Sequence, residues 1–314
     1  MQCAAEAIPF ERMPILCDSM TYEATRNRLA FEALPPLSVK GKAEPVAVYR
    51  PLGRELTTVR RRTAMVGREA ERERLGQHVQ RLQQGQTSIL IIEGETGMGK
   101  SRLIGHLQQQ AEPLDITCLV SLGDAVEQAS SYHAWRPIVR QLFHLDMLPD
   151  DPLRRRSYVV ERLRFDTEAS RLLPLINAVL PLDMPENEIT AQMVGQLRAD
   201  NTRRLLVRIL QLSASLTPLL IVLDEAHWLD SASWALALDV ARQVRPLLLV
   251  VATRPANQPF ASEYRQLFAQ PDTHHMVLGS LADQETLQVI CQALGVRSLP
   301  EQVARFIIDK SQGN

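Results

Sequence analysis

The sequence predicts an α/β fold, a three-layer αβα arrangement in which helices cover both faces of a parallel sheet. A β-branched run at residues 88–93 (SILIIE) leads directly into a glycine-rich loop and then into a helical pattern. Two further apolar runs, at residues 219–223 and 246–252, end in polar residues. Strand and helix patterns also alternate along most of the chain, which is typical of parallel sheets buried between helices.

The composition describes a globular chain with balanced charge. At 314 residues and 45% hydrophobic content, it can bury a full core with room for one large domain and a smaller piece. The 35 Lys and Arg residues match 36 Asp and Glu residues, which argues against a nucleic-acid partner, although residues 60–62 and 154–156 are arginine triplets.

The cysteine pattern and the hydropathy of the chain predict the cellular compartment of the protein. The four cysteines are scattered without metal-binding spacing, which indicates free thiols in a reducing environment. The amino terminus lacks a signal-peptide pattern, and no apolar run approaches the ~20 residues that span a bilayer. We therefore expect a soluble, cytoplasmic protein without a membrane partner.

Residues 1–55 differ in character from the rest. A helical stretch at about residues 19–29 precedes two extended runs on either side of Gly41 and Lys42, which predict a hairpin. Val46 and Val48 alternate with other residue types, as in a half-buried strand. Such a piece buries too little surface to be stable alone, so we expect it to belong to something larger.

This segment resembles the C-terminal tail of a class III adenylyl/guanylyl cyclase domain. The resemblance rests on residues 14–22 (PILCDSMTY), 31–32 (FE) and 37–49 (LSVKGKAEPVAVY), roughly a sixth of the chain. In that family the metal-binding aspartates, the base-selecting residues and the Asn/Arg pair that stabilises the transition state lie upstream of this tail, and none maps onto this sequence. The resemblance implies common ancestry or a missing cyclase neighbour, without cyclase activity in this chain.

A phosphate-binding loop is the main chemical landmark. Residues 94–101 (GETGMGKS) match the P-loop pattern GxxxxGK[ST] in full, between a strand and a helix as the pattern requires. Glycines let backbone N–H groups point at phosphate oxygens, and the helix starting near Gly99 adds its positive end. Lys100 is expected to reach the β and γ phosphates, and the Ser101 hydroxyl to hold Mg²⁺. The remaining residues expected to bind the nucleotide here are Gly94, Gly97, Met98, Gly99 and Arg102.

We therefore expect ATP or ADP and Mg²⁺ as ligands. The alternative is a chance match in a glycine-rich turn, which the flanking strand and helix argue against.

The second landmark is an acidic pair at the end of a buried strand, residues 219–227 (LLIVLDEAH), the Walker B arrangement. Asp224 is expected to hold Mg²⁺ through its water shell, and Glu225 to orient or deprotonate the attacking water. Two carboxylates at a strand end can instead cap a following helix, but the upstream P-loop favours the catalytic interpretation.

The remaining patterns complete the sheet and its helices. Residues 115–120 predict another strand, and residues 246–253 a buried strand followed by Arg254. His274 and His275 lie in the last strand and, as neighbours, point to opposite faces, which argues against a shared metal.

The helical patterns around these strands are less regular. Residues 150–195 look helical but broken by prolines, and a long helix is expected from about residue 193 to 216. His133 and Trp135 precede another helix, and we expect core packing for them rather than contact with the nucleotide.

Together these motifs resemble the STAND class of AAA+-related ATPases. In that class the VGRE box, here Val66, Gly67, Arg68 and Glu69, lies against the adenine, which implies that the first three bind the nucleotide. A strand ending in Thr-Arg occupies the sensor position beside the γ phosphate, so the resemblance implies that Arg254 reports ATP or ADP through a charge-assisted hydrogen bond. A surface arginine at a strand end is the alternative.

The resemblance also divides the chain. We expect a cyclase-tail remnant at residues 1–55, a P-loop ATPase core at residues 56–280 that begins with a linker, and the beginning of a helical lid at residues 281–314. The final Gly313 and Asn314 start a Gly-Asn-Pro pattern typical of STAND lids, so both ends look cut.

Three functions remain open from the sequence. The first is an ATP-dependent signalling switch behind a cyclase domain, with partners in neighbouring domains and weak basal hydrolysis because no arginine finger is identifiable. The second is a DEAH-type helicase, which the GETGMGKS and DEAH strings also resemble. The third is a non-catalytic fragment of a cyclase.

Overall fold

A computed structural model describes residues 16–25, 30–37, 46–53, 65–255 and 262–311. The chain divides into two compact units, Met1–Ala64 and Met65–Asn314. Outside the described residues lie the turn of the expected hairpin, the linker with its arginine triplet, the start of the cyclase-like motif and the final Gly313 and Asn314.

The first unit contains a small antiparallel sheet. Its elements are β1 (Cys17–Asp18), α1 (Ser19–Thr25), β2 (Ala30–Leu37) and β3 (Val46–Gly53), with strand order β1-β3-β2. The two extended runs of the sequence therefore pair as predicted, with Leu34 opposite Val48. Tyr22 stacks on Tyr49 with ring centroids 4.0 Å apart, which fixes α1 against the sheet.

The second unit is built on a five-stranded parallel sheet. Its strands are β4 (Ser88–Glu93), β5 (Thr117–Leu122), β6 (Leu219–Asp224), β7 (Leu247–Thr253) and β8 (Thr273–Val277), in the order β5-β6-β7-β4-β8. All four strand pairings are parallel, which confirms the predicted sheet. The central strands β6 and β7 are buried throughout because helices cover both of their faces.

Helices form the outer layers of this unit. They are α2 (Glu69–Gln83), α3 (Lys100–Ala111), α4 (Trp135–Leu142), α5 (Pro152–Leu163), α6 (Thr167–Leu172), α7 (Gly195–Ala214), α8 (Ser231–Gln243), α9 (Ser262–Phe268), α10 (Asp283–Leu294) and α11 (Glu301–Ser311). Among the described residues, none of the helices is long and apolar enough to cross a membrane.

Two hydrophobic cores occupy the two faces of the sheet, as a three-layer fold requires. Successive residues of β4 alternate between them: Ile89 and Ile91 join one core, and Leu90 and Ile92 join the other. The first core contains side chains of α4, α7 and α8, and the second contains those of α2 and α3. Trp135 lies in the first core, where its indole N–H donates to the Ser233 carbonyl at 3.1 Å. Core packing is therefore its structural role.

The proline-rich stretch is a set of short elements rather than one interrupted helix. Pro152 is the first residue of α5, where its missing N–H costs no hydrogen bond, and Asp151 accepts from the Leu153 N–H at 3.0 Å. Asp166 similarly caps α6 by accepting from the Ala169 N–H at 2.8 Å. Pro174 likewise lies at the start of a 3-10 segment, Leu173–Ala178, which precedes α7, whereas Pro181 and Pro185 lie in irregular chain.

Candidate nucleotide site

The loop after β4 has the conformation that binds anions. Gly97 and Gly99 both have φ of 87°, a left-handed conformation that residues with a Cβ rarely adopt. Helix α3 begins immediately afterwards and has no side chain capping its first turn. Its first N–H groups and its positive end therefore face the loop, where a phosphate would lie.

The side chain of Lys100 is buried inside the P-loop. It is 4% exposed, and its ammonium donates to the carbonyls of Gly94 and Glu95 at 2.7 and 3.0 Å. An ammonium has three donors, so the third remains to reach a phosphate oxygen. The loop carbonyls hold the lysine at the site, which limits the entropy that it loses when a phosphate binds.

Ser101 and Asp224 meet across the gap between the P-loop and β6. The Ser101 hydroxyl donates to Asp224 Oδ2 at 2.9 Å, and Asp224 Oδ1 accepts from the Glu225 N–H at 2.9 Å. Burial raises the pKa of Asp224, although the hydroxyl and the N–H oppose this shift. A hydroxyl and a carboxylate at this separation fit the oxygen ligands that Mg²⁺ prefers, and a cation there would stabilise the charged form of Asp224.

Glu225 lies next to this pair but is engaged by other side chains. Its Oε2 is 3.4 Å from Arg254 Nη2 and 3.3 Å from His227 Nε2. Burial is the main reason that the pKa of His227 is lowered, although the Glu225 charge acts in the opposite direction. Since a lowered pKa leaves His227 neutral at pH 7, Arg254 is the charged partner of Glu225.

Tight backbone packing places Glu225 in this position. Glu225 itself is left-handed, with φ of 51°, an uncommon conformation for a residue with a side chain. Gly123, just beyond β5, packs against it: a Cβ there would lie 2.4 Å from the Glu225 carbonyl oxygen. Gly123 also donates its N–H to the Asp224 carbonyl at 2.8 Å. The sequence analysis did not predict the packing of Gly123 on Glu225 or the contact between His227 and Glu225. The position of Gly123, directly after a predicted strand, is the pattern that could have indicated the first.

The VGRE box packs against the beginning of α10. Gly67 and Arg68 are both left-handed, with φ of 66° and 62°. Arg68 donates to the Gly279 carbonyl and, at 3.0 Å, to Glu71. The side chain of Glu285 lies against Gly67, within 2.0 Å of the position of a Cβ. The box is therefore tied to the chain that enters the helices after β8.

The structure brings together some of the residues that the sequence singled out. Lys100, Ser101, Asp224, Glu225 and Arg254 converge at the carboxyl ends of β4, β6 and β7. Of the other P-loop residues, Gly94 bonds to β7 through the Thr253 carbonyl, Met98 packs on the core of α2 and α3, and Arg102 is exposed.

A family model described as an AAA ATPase domain matches residues 64–251, more than half of the chain. The chain belongs to this AAA ATPase domain family. The matched region contains β4, β5, β6 and most of β7, together with the P-loop and the acidic pair. The observed strand order and the site at the strand ends are those of a P-loop nucleotide-binding fold.

Similarity to curated proteins extends over most of the chain at low identity. The AAA ATPase chain is 22% identical to adenylate cyclase type 10 of Rattus norvegicus over 316 residues, an alignment that covers 95% of this chain and 19% of that protein. The human protein of the same name is 21% identical with the same coverage. The chain thus spans about a fifth of the length of these relatives.

Among solved structures, the Orc1 protein of Aeropyrum pernix in complex with DNA is similar at 17% identity, with a TM-score of 0.38. The similarity covers 76% of this chain and 51% of that chain.

Proposed function

We propose that this AAA ATPase module binds ATP with Mg²⁺, hydrolyses it slowly and acts as a signalling switch. The observation that carries the proposal is the contact between Ser101 and Asp224 at 2.9 Å beside the buried ammonium of Lys100. Ser101 and Asp224 offer oxygen ligands to a metal ion, and Lys100 offers a positive charge beside the uncapped start of α3, which attracts phosphate. Together these groups suit a metal-bound triphosphate.

Each residue has a role in this proposal. Lys100 and the loop N–H groups hold the β and γ phosphates, while Ser101 and Asp224 hold Mg²⁺, which neutralises developing charge. Glu225 accepts a proton from the water that attacks the γ phosphorus. The bond between that phosphorus and the bridging oxygen breaks, giving ADP and phosphate.

Arg254 is the proposed switch residue. It contacts Glu225 here, and the same guanidinium lies at a strand end where a γ phosphate offers it a stronger, doubly charged partner. Binding of ATP would therefore draw Arg254 away from Glu225, whereas ADP would not. The difference between the two contacts supplies the free energy that a switch requires. We expect a slow basal rate for a separate reason, because the sequence offers no identifiable arginine finger to stabilise the transition state.

The relatives suggest where such a switch acts. They are named adenylate cyclases, and the paired strands β2 and β3 come from the segment that resembles a cyclase tail. We therefore place the module in a cyclase-linked signalling protein, next to a cyclase domain, with neighbouring domains as its partners.

The test is a pair of substitutions with different expected effects. Lys100→Ala should weaken ATP binding by at least about tenfold, because a charge-assisted contact contributes roughly 1.5–3 kcal/mol. Glu225→Gln should leave affinity nearly unchanged and slow phosphate release by about 10²-fold or more. Arg162→Ala is the control, since Arg162 is an exposed helical cation far along the chain from the loop. Binding is read with a fluorescent ATP analogue, and turnover by phosphate release.

Three results would contradict the proposal. Equal ATP affinity of Lys100→Ala and wild type would remove the site assignment. Strong stimulation of hydrolysis by RNA would favour the helicase instead. Cyclic AMP made from ATP by the purified chain would show that it carries cyclase chemistry after all.

A further inference from the structure

A cavity lies away from the P-loop, between α2 and the edge strand β8. Its volume is about 230 Å³, several times the ~30 Å³ that one water occupies in the liquid. His274 of β8 pairs in register with Leu90 of β4, four residues before the P-loop starts at Gly94. At about 3.3 Å per residue, His274 is roughly 13 Å from the loop along the strand, and the lining residue Met276, which pairs with Ile92, is nearer. The side chains lining it include Arg74, Gln77, His78, Arg81, His274 and Met276.

Cationic and imidazole groups dominate this cavity. Arg74, His78 and Arg81 follow one another at spacings of four and three residues, so they share one face of α2. Two acidic residues lie close in sequence to the lining residues, since Glu73 precedes Arg74 and Asp272 is two residues before His274. Neither of them lines the cavity. Among the described residues, neither Arg74 nor Arg81 forms an ion pair with a carboxylate.

Three of these side chains, those of His78, Arg81 and His274, are held in position before any ligand arrives. His78 is 6% exposed, and its Nδ1 is 2.9 Å from the Ser88 hydroxyl. Its ring meets that of His274 edge to face, with centroids 4.8 Å apart, and an Arg81 N–H donates to His274 Nε2 at 3.2 Å. The pKa of His78 is lowered to about 4, mainly by burial and to a smaller extent by the nearby His274 and Arg81. His78 is therefore neutral at pH 7, and the positive charge of this cavity comes from Arg74 and Arg81.

We propose that this cavity binds a small phosphate-type oxyanion, with Arg74 and Arg81 as its charged donors and His78 and His274 as its imidazole donors. Two arginines supply several N–H donors in planar geometry that matches phosphate oxygens. A bound dianion would also relieve the mutual repulsion of the cationic groups. The site is separate from the proposed nucleotide site, because the two use different residues.

The test follows the imidazole ring signals of His78 and His274 by NMR while inorganic phosphate is added to the full chain. We expect saturable shifts of both rings that are the same in wild type and in Lys100→Ala, since the P-loop is not involved. Arg81→Gln should weaken the apparent affinity by about tenfold or more, which corresponds to about 1.4 kcal/mol. Arg162→Gln, a substitution of another exposed helical arginine, should have no effect. Sodium chloride at matched ionic strength controls for screening.

The outcomes separate the sources of the phosphate group. Tighter binding of glycerol 3-phosphate than of inorganic phosphate assigns the site to phosphate esters, and the reverse assigns it to the free ion; both support the proposal. It is overturned if the rings show no saturable shift, if Arg81→Gln responds like wild type, or if chloride gives the same shifts. Binding of a short oligonucleotide that depends on Arg81, without saturation by phosphate, would overturn it in favour of a nucleic-acid surface. Because Arg81 is exposed, its substitution leaves the fold intact.

Discussion

At the scale of single residues, the candidate nucleotide site is built from groups that are poorly solvated without their ligands. Asp224 is 7% exposed, and Lys100 is held by backbone carbonyls in place of phosphates. Burying a carboxylate costs free energy unless a cation and hydrogen bonds compensate, and here one hydroxyl and one N–H compensate only in part. Burial of Asp224 therefore lowers the stability of the ligand-free protein, and the proposed binding of a metal-bound nucleotide would offset this loss.

The burial of Asp224 predicts that the Asp224→Asn substitution changes the free energy of unfolding by an amount that depends on pH. The folded-state pKa of Asp224 lies above its ordinary value, so its ionisation opposes folding. Well below pH 4 the carboxyl group is neutral in both states and this destabilisation is absent; it grows as pH rises through the folded-state pKa. We therefore expect the stability of Asp224→Asn relative to wild type to improve between acidic and neutral pH, while Mg²⁺ no longer strengthens ATP binding. Urea unfolding at several pH values measures the first effect, and a difference that stays constant or reverses with pH would contradict it.

At the scale of elements, the edge strand β5 shows how a side chain can replace a neighbouring strand. Gln141 of α4 donates to the Val120 carbonyl at 2.7 Å and accepts from the Val120 N–H at 3.0 Å. Its amide thus makes the two hydrogen bonds that a further strand would make, and it closes part of an edge that is otherwise open to pairing. The end of β5 is in turn held against Glu225 through Gly123.

The Gln141→Met substitution tests this capping contact. Methionine keeps the volume of the side chain but leaves the Val120 N–H and carbonyl without partners, which should cost roughly 1–3 kcal/mol. Hydrogen exchange of the Val120 amide should accelerate correspondingly. Gln80→Met, in which an exposed glutamine of α2 is changed in the same way, is the matched control and should leave both quantities unchanged. Unaltered Val120 exchange in Gln141→Met would mean that the contact does not stabilise the edge.

At the scale of the whole molecule, the parallel sheet and the candidate nucleotide site belong to only one of the two compact units. Both hydrophobic cores of the parallel sheet and every residue proposed to bind nucleotide lie within Met65–Asn314. The small sheet of the first unit has its own aromatic packing around Tyr22. Nucleotide binding is therefore expected to be a property of the second unit.

Deletion of residues 1–64 tests this division. The shortened chain keeps the VGRE box and should bind ATP within about twofold of the full chain, because independent sites contribute additively. Saturating ATP at about 100 times the dissociation constant should stabilise both chains by about 2.7 kcal/mol, read as a rise in the midpoint of thermal unfolding. Tenfold weaker binding by the shortened chain would show that the first unit contributes to the site.

The sequence by itself determined the strands and the phosphate-binding loop, because these depend on residues that are close together in the chain. The strand after residue 87, the P-loop and the strand ending in Asp224 follow from apolar runs and glycine spacing, because backbone preference and burial are expressed within a few residues. The opposite directions of His274 and His275 follow from the two-residue period of a strand, and the structure shows them bonded to Arg81 and Glu93 respectively.

Only the tertiary structure decided contacts between residues that are distant in sequence. The contact between Glu225 and Arg254, the packing of Gly123 on Glu225 and the strand-like role of Gln141 all depend on how the strand ends meet. The cavity near His78 joins α2 to a strand 193 residues later, counted from Arg81 to His274. Periodicity and motif spacing carry no information on such distances, since these contacts arise from packing the helices onto the two faces of one sheet.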